Sequence, residues 1–138
     1  MFLGFLTNDE KKAFLGLAYQ IAMIDGEFHE EEKAMMSYYE YESGISLGEE
    51  KNEDIKLLSS RIKGQNRVYC MIELLSLAFS DSDYSEDEQK LIGTISAEFN
   101  LNEKTIQYLI EWLDRQNKLT KEITDFAKEY QKWIFQMY

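Results

Sequence analysis

Apolar residues recur at steps of three and four along nearly the whole chain, the period of helices with one buried face. Thr7 and Glu10 form a Thr-x-x-Glu capping box that opens a first helix, followed by Phe14, Leu17, Ala18, Ile21 and Ala22 at helical spacing. A second helix is expected from about Glu30 to Glu42, with Gly44 as its stop. A third is expected from about Glu53 to Lys63, closed by Gly64. The segment near 66–80 is the most apolar, with Val68, Met71, Ile72, Leu74, Leu75, Leu77, Ala78 and Phe79, and it predicts a central, largely buried fourth helix.

Ser85 and Glu88 repeat the capping-box spacing and open a fifth helix that ends near Asn100. Asn102 is placed to cap a sixth, with Ile106, Leu109, Ile110 and Leu113 on one face. Thr120 is placed to cap a seventh, carrying Ile123, Phe126, Ala127, Tyr130, Trp133 and Ile134. No window alternates at period two, so the pattern predicts an all-α domain of about seven helices spanning 1–138. Proline is absent, which leaves these patterns unbroken.

A shift of 56 residues lays one helix–loop–helix on another, Ile21–Glu32 on Leu77–Glu88. Ala22, Asp25, Glu30 and Glu32 recur as Ala78, Asp81, Glu86 and Glu88. Such a repeat predicts two pseudo-symmetric helix hairpins.

Charge sharpens the same two loops. The chain carries a formal net charge of −11, which argues against nucleic acid and anionic membranes as partners. Residues 25–32 (DGEFHEEE) and 81–88 (DSDYSEDE) each hold five acids and no Lys or Arg. Without those ten, the remaining 16 acids face 15 basic residues, so nearly all the excess lies in the two loops. A composition 44% apolar and 14% aromatic fits a folded core rather than a disordered chain. No apolar run is long enough to span a membrane, and MFLGFLTNDE has neither the basic end nor the cleavage site of a signal peptide. The expected location is the cytoplasm, where the single Cys70 is expected as a core residue.

The repeated pattern I-A-x-x-D-G-x-F-x-x-x-E resembles the TerB-like family, named for a tellurite-resistance protein. Ala22, Asp25, Gly26, Phe28 and Glu32 fit it in the first copy. Asp81, Tyr84 and Glu88 fit it in the second, where Ser82 replaces the glycine. The resemblance implies a seven-helix fold, acidic positions suspected of binding metal ions, and a background in tellurite and other stress responses.

Both loops have the form D-x-[DE]-x-x-x-x-E, namely Asp25, Glu27, Glu32 and Asp81, Asp83, Glu88. Three carboxylates that converge on one point can begin a site for a hard divalent cation such as Ca²⁺ or Mg²⁺, with Mn²⁺ also preferred over Zn²⁺. The spacing is not that of an EF-hand. In the competing reading these acids only shape the loops and cap helix starts, where the helix dipole favours negative charge. His29 is the only histidine and is read as an exposed helix-start residue, without soft ligands nearby for zinc.

No phosphate loop, H-E-x-x-H or nucleophile–base pair appears, so a non-enzymatic module is expected. Two functions compete: divalent-cation binding through the loops, and protein–protein interaction. Tyr38, Tyr39 and Tyr41, with the aromatic-rich chain ends, are candidates for core, a homodimer seam or a partner's docking surface. The basic residues Lys56, Arg61, Lys63 and Arg67 are expected to balance the acidic loops.

Overall fold

The structure, a computed structural model, describes residues 1–80 and 84–137. Those residues form six α-helices and two short 3-10 turns, with no strand among them. The helices are α1 (Asn8–Ala22), α2 (Glu30–Ser43), α3 (Ile55–Ser60), α4 (Asn66–Ala78), α5 (Glu86–Glu98) and α6 (Glu103–Met137). The 3-10 turns are Leu3–Phe5 and Glu49–Asn52.

Local chemistry sets the helix ends. In α1 the Thr7 hydroxyl accepts from the Glu10 N–H, and the Glu10 carboxylate accepts from the Thr7 N–H in return. Ser85 and Glu88 do the same for α5. Gly44 ends α2 at φ 74°, a left-handed turn that a glycine makes without strain. The Asn102 side chain accepts from the Thr105 N–H at the start of α6.

α1 and α4 supply most of the core and pack against each other. Phe14, Leu17 and Ile21 of α1 and Cys70, Met71, Leu74 and Leu75 of α4 belong to one buried cluster with Tyr39, Leu58, Ile92, Ile95 and Phe99. Cys70 is fully buried, and burial pushes its thiol well above the ordinary range. Tyr39 is buried as well, its hydroxyl donating to the Glu73 carbonyl at 2.9 Å. Gly16 lets the Glu49–Asn52 turn lie on α1, since a Cβ there would stand 2.7 Å from the Glu50 carbonyl oxygen.

Two pairs of helix bounds stand 56 residues apart, while the starts of α1 and α4 and the ends of α2 and α5 do not. α2 and α5 start at 30 and 86, while α1 and α4 end at 22 and 78.

The helix count departs from the seven expected. Residues 103–137 form one continuous helix rather than two. Thr120 does not cap a new helix; its hydroxyl donates to the Gln116 carbonyl one turn back, and Thr124 bonds the Thr120 carbonyl in the same way. With no glycine or proline between 103 and 137, nothing in the backbone interrupts the ladder. Among the described residues no helix is long and apolar enough to cross a membrane.

Candidate functional site

The first acidic loop joins α1 to α2. The Asp25 Oδ1 accepts from the Glu27 N–H at 3.0 Å, closing a small turn in which Gly26 adopts φ 83°. The other Asp25 oxygen lies 3.3 Å from His29 Nε2, and Glu27 Oε2 approaches the same nitrogen at 3.6 Å. The Glu27 N–H bond holds the Asp25 carboxyl below its ordinary value, with the His29 contact adding to it. His29 is raised in turn, first by the bond to Asp25 and then by the surrounding carboxylates. The negative charge expected at this helix C-terminus is thus met by a backbone donor and an imidazole.

Glu32 is turned away from solvent, at 3% exposure, and accepts from the His29 N–H at 3.2 Å. In the second loop Glu88, at 5% exposure, accepts from the Ser85 N–H at the same distance. Asp81 and Asp83 lie outside the described residues. Of the six acids read as metal ligands, Asp25 and Glu27 come together around His29, whereas Glu32 and Glu88 bond the backbone at their own helix starts. Among the described residues, no three carboxylate, imidazole or thiol groups stand where they can hold a metal ion.

The aromatic residue of each loop packs back on the helix before it. Phe28 meets Tyr19 edge-on at 6.1 Å between ring centres, and Tyr84 meets Phe79 at 4.4 Å. Two of the basic residues near α3 have partners away from the loops among the described residues. Arg61 pairs with Asp9 at 2.7 Å and with Glu53 at 3.3 Å, while Arg67 donates to the Ile62 carbonyl and lies over Phe99.

The chain ends behave differently from each other. Leu3 and Leu6 are buried, and Phe2 stacks on Tyr69 and leans on Trp112. The far half of α6 is instead open to solvent. Leu109 is the only buried residue of the helix, and every residue from 117 to 133 is exposed. Leu119, Ile123, Phe126, Tyr130, Trp133 and Met137 stand 52–66% exposed along this arm. At its foot an open groove of about 460 Å³ is lined by Met35, Phe79, Ile110, Leu113 and Asn117, among others. Leu119 apart, the helical spacing marks these positions, with core, homodimer seam and partner docking as the alternatives. The missed signal is the lack of a second apolar segment able to cover them.

No family model matches the chain, and no curated protein or solved structure is similar to it. The TerB-like resemblance therefore rests on the sequence pattern alone.

Proposed function

We propose that the chain is a non-enzymatic protein-interaction module in which a compact helical body holds out α6 as a docking arm. One observation carries this reading: α6 continues from its anchored start at Glu103 to Met137 while seven large apolar side chains of its far half face solvent. A contiguous apolar surface of several hundred Å² marks an interaction site on a soluble domain. The acidic loops then act as structure, with Glu32 and Glu88 fixing helix starts and Asp25 closing a turn.

Photo-crosslinking in the expressing cell tests the reading. A benzoylphenylalanine at position 126 is expected to give discrete protein adducts, and one at Lys128, on the opposite face of the arm, few. An arm that yields no adduct from position 126 is not a protein-docking surface, and the proposal is then wrong.

The rival function is divalent-cation binding by Asp25, Glu27 and Glu32 with Asp81, Asp83 and Glu88. A thermal melt of chelator-stripped protein with Ca²⁺, Mg²⁺, Mn²⁺ or Zn²⁺ separates the two. An ion at about 100 times its Kd adds about 2.7 kcal/mol, roughly 5–10 °C for a chain of this size. Capping carboxylates predict no such rise.

We also read the two helix hairpins as related by a local twofold. The bond between Glu10 and Asn66 supports this, since it joins positions 56 residues apart, the offset of the repeat. Side chains at equivalent positions meet in this way near such an axis.

A further inference from the structure

Building on the interaction-module reading, we propose that the occupant of the arm is a second copy of it, with two α6 helices paired antiparallel. From Leu119 six exposed apolar positions advance by 4, 3, 4, 3 and 4 residues, through Ile123, Phe126, Tyr130 and Trp133 to Met137, with the exposed Phe135 off this line. The alternation of four and three repeats every seven residues, the seam along which one helix packs on another. A globular groove imposes no such period.

The side chains favour one direction. With Phe126 set against Tyr130 of the second copy, the next layers bring Ile123 to Trp133 and Leu119 to Met137. Each layer joins one core series of the heptad to the other, as antiparallel pairs require, and the bulkiest side chain meets a smaller one. A parallel pair would set Trp133 on Trp133 and Tyr130 on Tyr130. Six half-exposed side chains offer on the order of 600 Å² per copy, or about 1,200 Å² for the pair, which reaches the lower bound of stable interfaces.

Charge points the same way. Residues 1–114 hold 10 basic and 23 acidic residues, a net −13, whereas residues 115–138 hold 5 basic and 3 acidic, a net +2. Two arms therefore meet with little repulsion while two bodies repel. An antiparallel overlap from 119 to 137 sets the bodies about 27 Å apart along the arm, more than three Debye lengths of about 8 Å. Glu129 lies beside its own copy in this register, on the solvated rim where like-charge repulsion is weak.

Sedimentation equilibrium of the full chain tests the pairing, with Phe126→Glu and Lys128→Glu as variants and circular dichroism to confirm that each is folded. The expected species has twice the 16.3 kDa of one chain. Phe126→Glu should weaken association about tenfold or more, and Lys128→Glu should leave it intact. Introduced cysteines read the direction, since the native Cys70 is buried. Ile123→Cys mixed with Trp133→Cys is expected to form a disulfide-linked pair, and neither should link to itself. Self-linking of Ile123→Cys overturns the antiparallel arrangement. A dimer unaffected by Phe126→Glu, a chain still monomeric at about 100 µM, or a monomer that binds phosphatidylserine vesicles overturns self-pairing. Adducts at position 126 to a different protein would then leave the module reading standing, whereas no adducts would end both.

Discussion

Asn66 donates a 2.7 Å hydrogen bond to Glu10, tying the first residue of α4 to the first turn of α1. The same carboxylate accepts from the Thr7 N–H and, through its other oxygen, from the Lys63 N–H at 2.9 Å. One buried acid thus caps its own helix, holds the turn before the next and joins the two central helices.

Glu10 should accordingly govern acid stability. Burial alone would raise its carboxyl, but the bonds from Thr7, Lys63 and Asn66 outweigh it and hold the group below its ordinary 4.5. A depressed carboxyl contributes stability above its unfolded value, and that contribution is lost as pH falls through the lower folded value. Glu10→Gln turns an amide donor toward backbone donors and is expected to cost about 1–3 kcal/mol near neutral pH. The deficit should shrink in denaturant melts below pH 4.5. A gap independent of pH would mean that the charge of Glu10 does no structural work.

His29 gives the first loop a titratable reporter. Its folded value lies above the ordinary 6.5, chiefly through the bond to Asp25. The stability it adds is complete below the unfolded value and lost as pH rises through the folded one. An NMR titration should show Asp25→Asn returning His29 toward 6.5. Adding Ca²⁺ or Mg²⁺ should leave the wild-type titration unchanged; an ion seated on Asp25 and Glu27 would instead lower it by repelling the imidazolium.

Two helical glycines should respond in opposite directions to alanine. Gly93 is exposed in α5, with nothing within 4 Å of an added Cβ, so Gly93→Ala should stabilise by about 0.5–1 kcal/mol through helix propensity. At Gly16 the Cβ would meet the Glu50 carbonyl oxygen at 2.7 Å and Leu58 Cδ1 at 3.0 Å. Gly16→Ala should therefore cost about 1–3 kcal/mol despite the same propensity gain. Thermal melts of the pair check whether the Glu49–Asn52 turn packs on α1 as closely as described.

Removing a helix cap should have a moderate effect. Ser85→Ala deletes the hydroxyl that accepts from the Glu88 N–H, and it is expected to cost about 1 kcal/mol in chemical unfolding. A change within error would show that α5 starts without its capping box.

What the sequence made legible was local. The Thr7–Glu10 and Ser85–Glu88 boxes, Gly44 and the apolar run of α4 depend on neighbours a few residues apart, and each was found where its pattern indicated. The Glu32 cap was missed because His29 is not a usual capping residue, although the Glu three places on was visible. Thr120 misled because a threonine that opens a helix and one that bonds back within a helix share the same local spacing; only the unbroken ladder distinguishes them. Arg61 found its partner in Asp9, 52 residues away, a contact no local pattern contains. The cation reading of the loops drew on acid spacing and on the TerB-like resemblance, neither of which shows whether a carboxylate faces the loop or its own helix backbone.

Amide hydrogen exchange along α6, measured at two protein concentrations about 100-fold apart, tests the central claim most directly. An arm without a body to pack on holds its helix weakly, because an isolated helix of this length is marginal in water. Residues 103–114, which carry the buried Leu109, should be protected at both concentrations. Residues 119–137 should exchange rapidly in dilute protein and become protected when a partner covers the stripe. Equal protection of both halves in dilute protein would contradict the account, since the arm would then already be packed within its own chain.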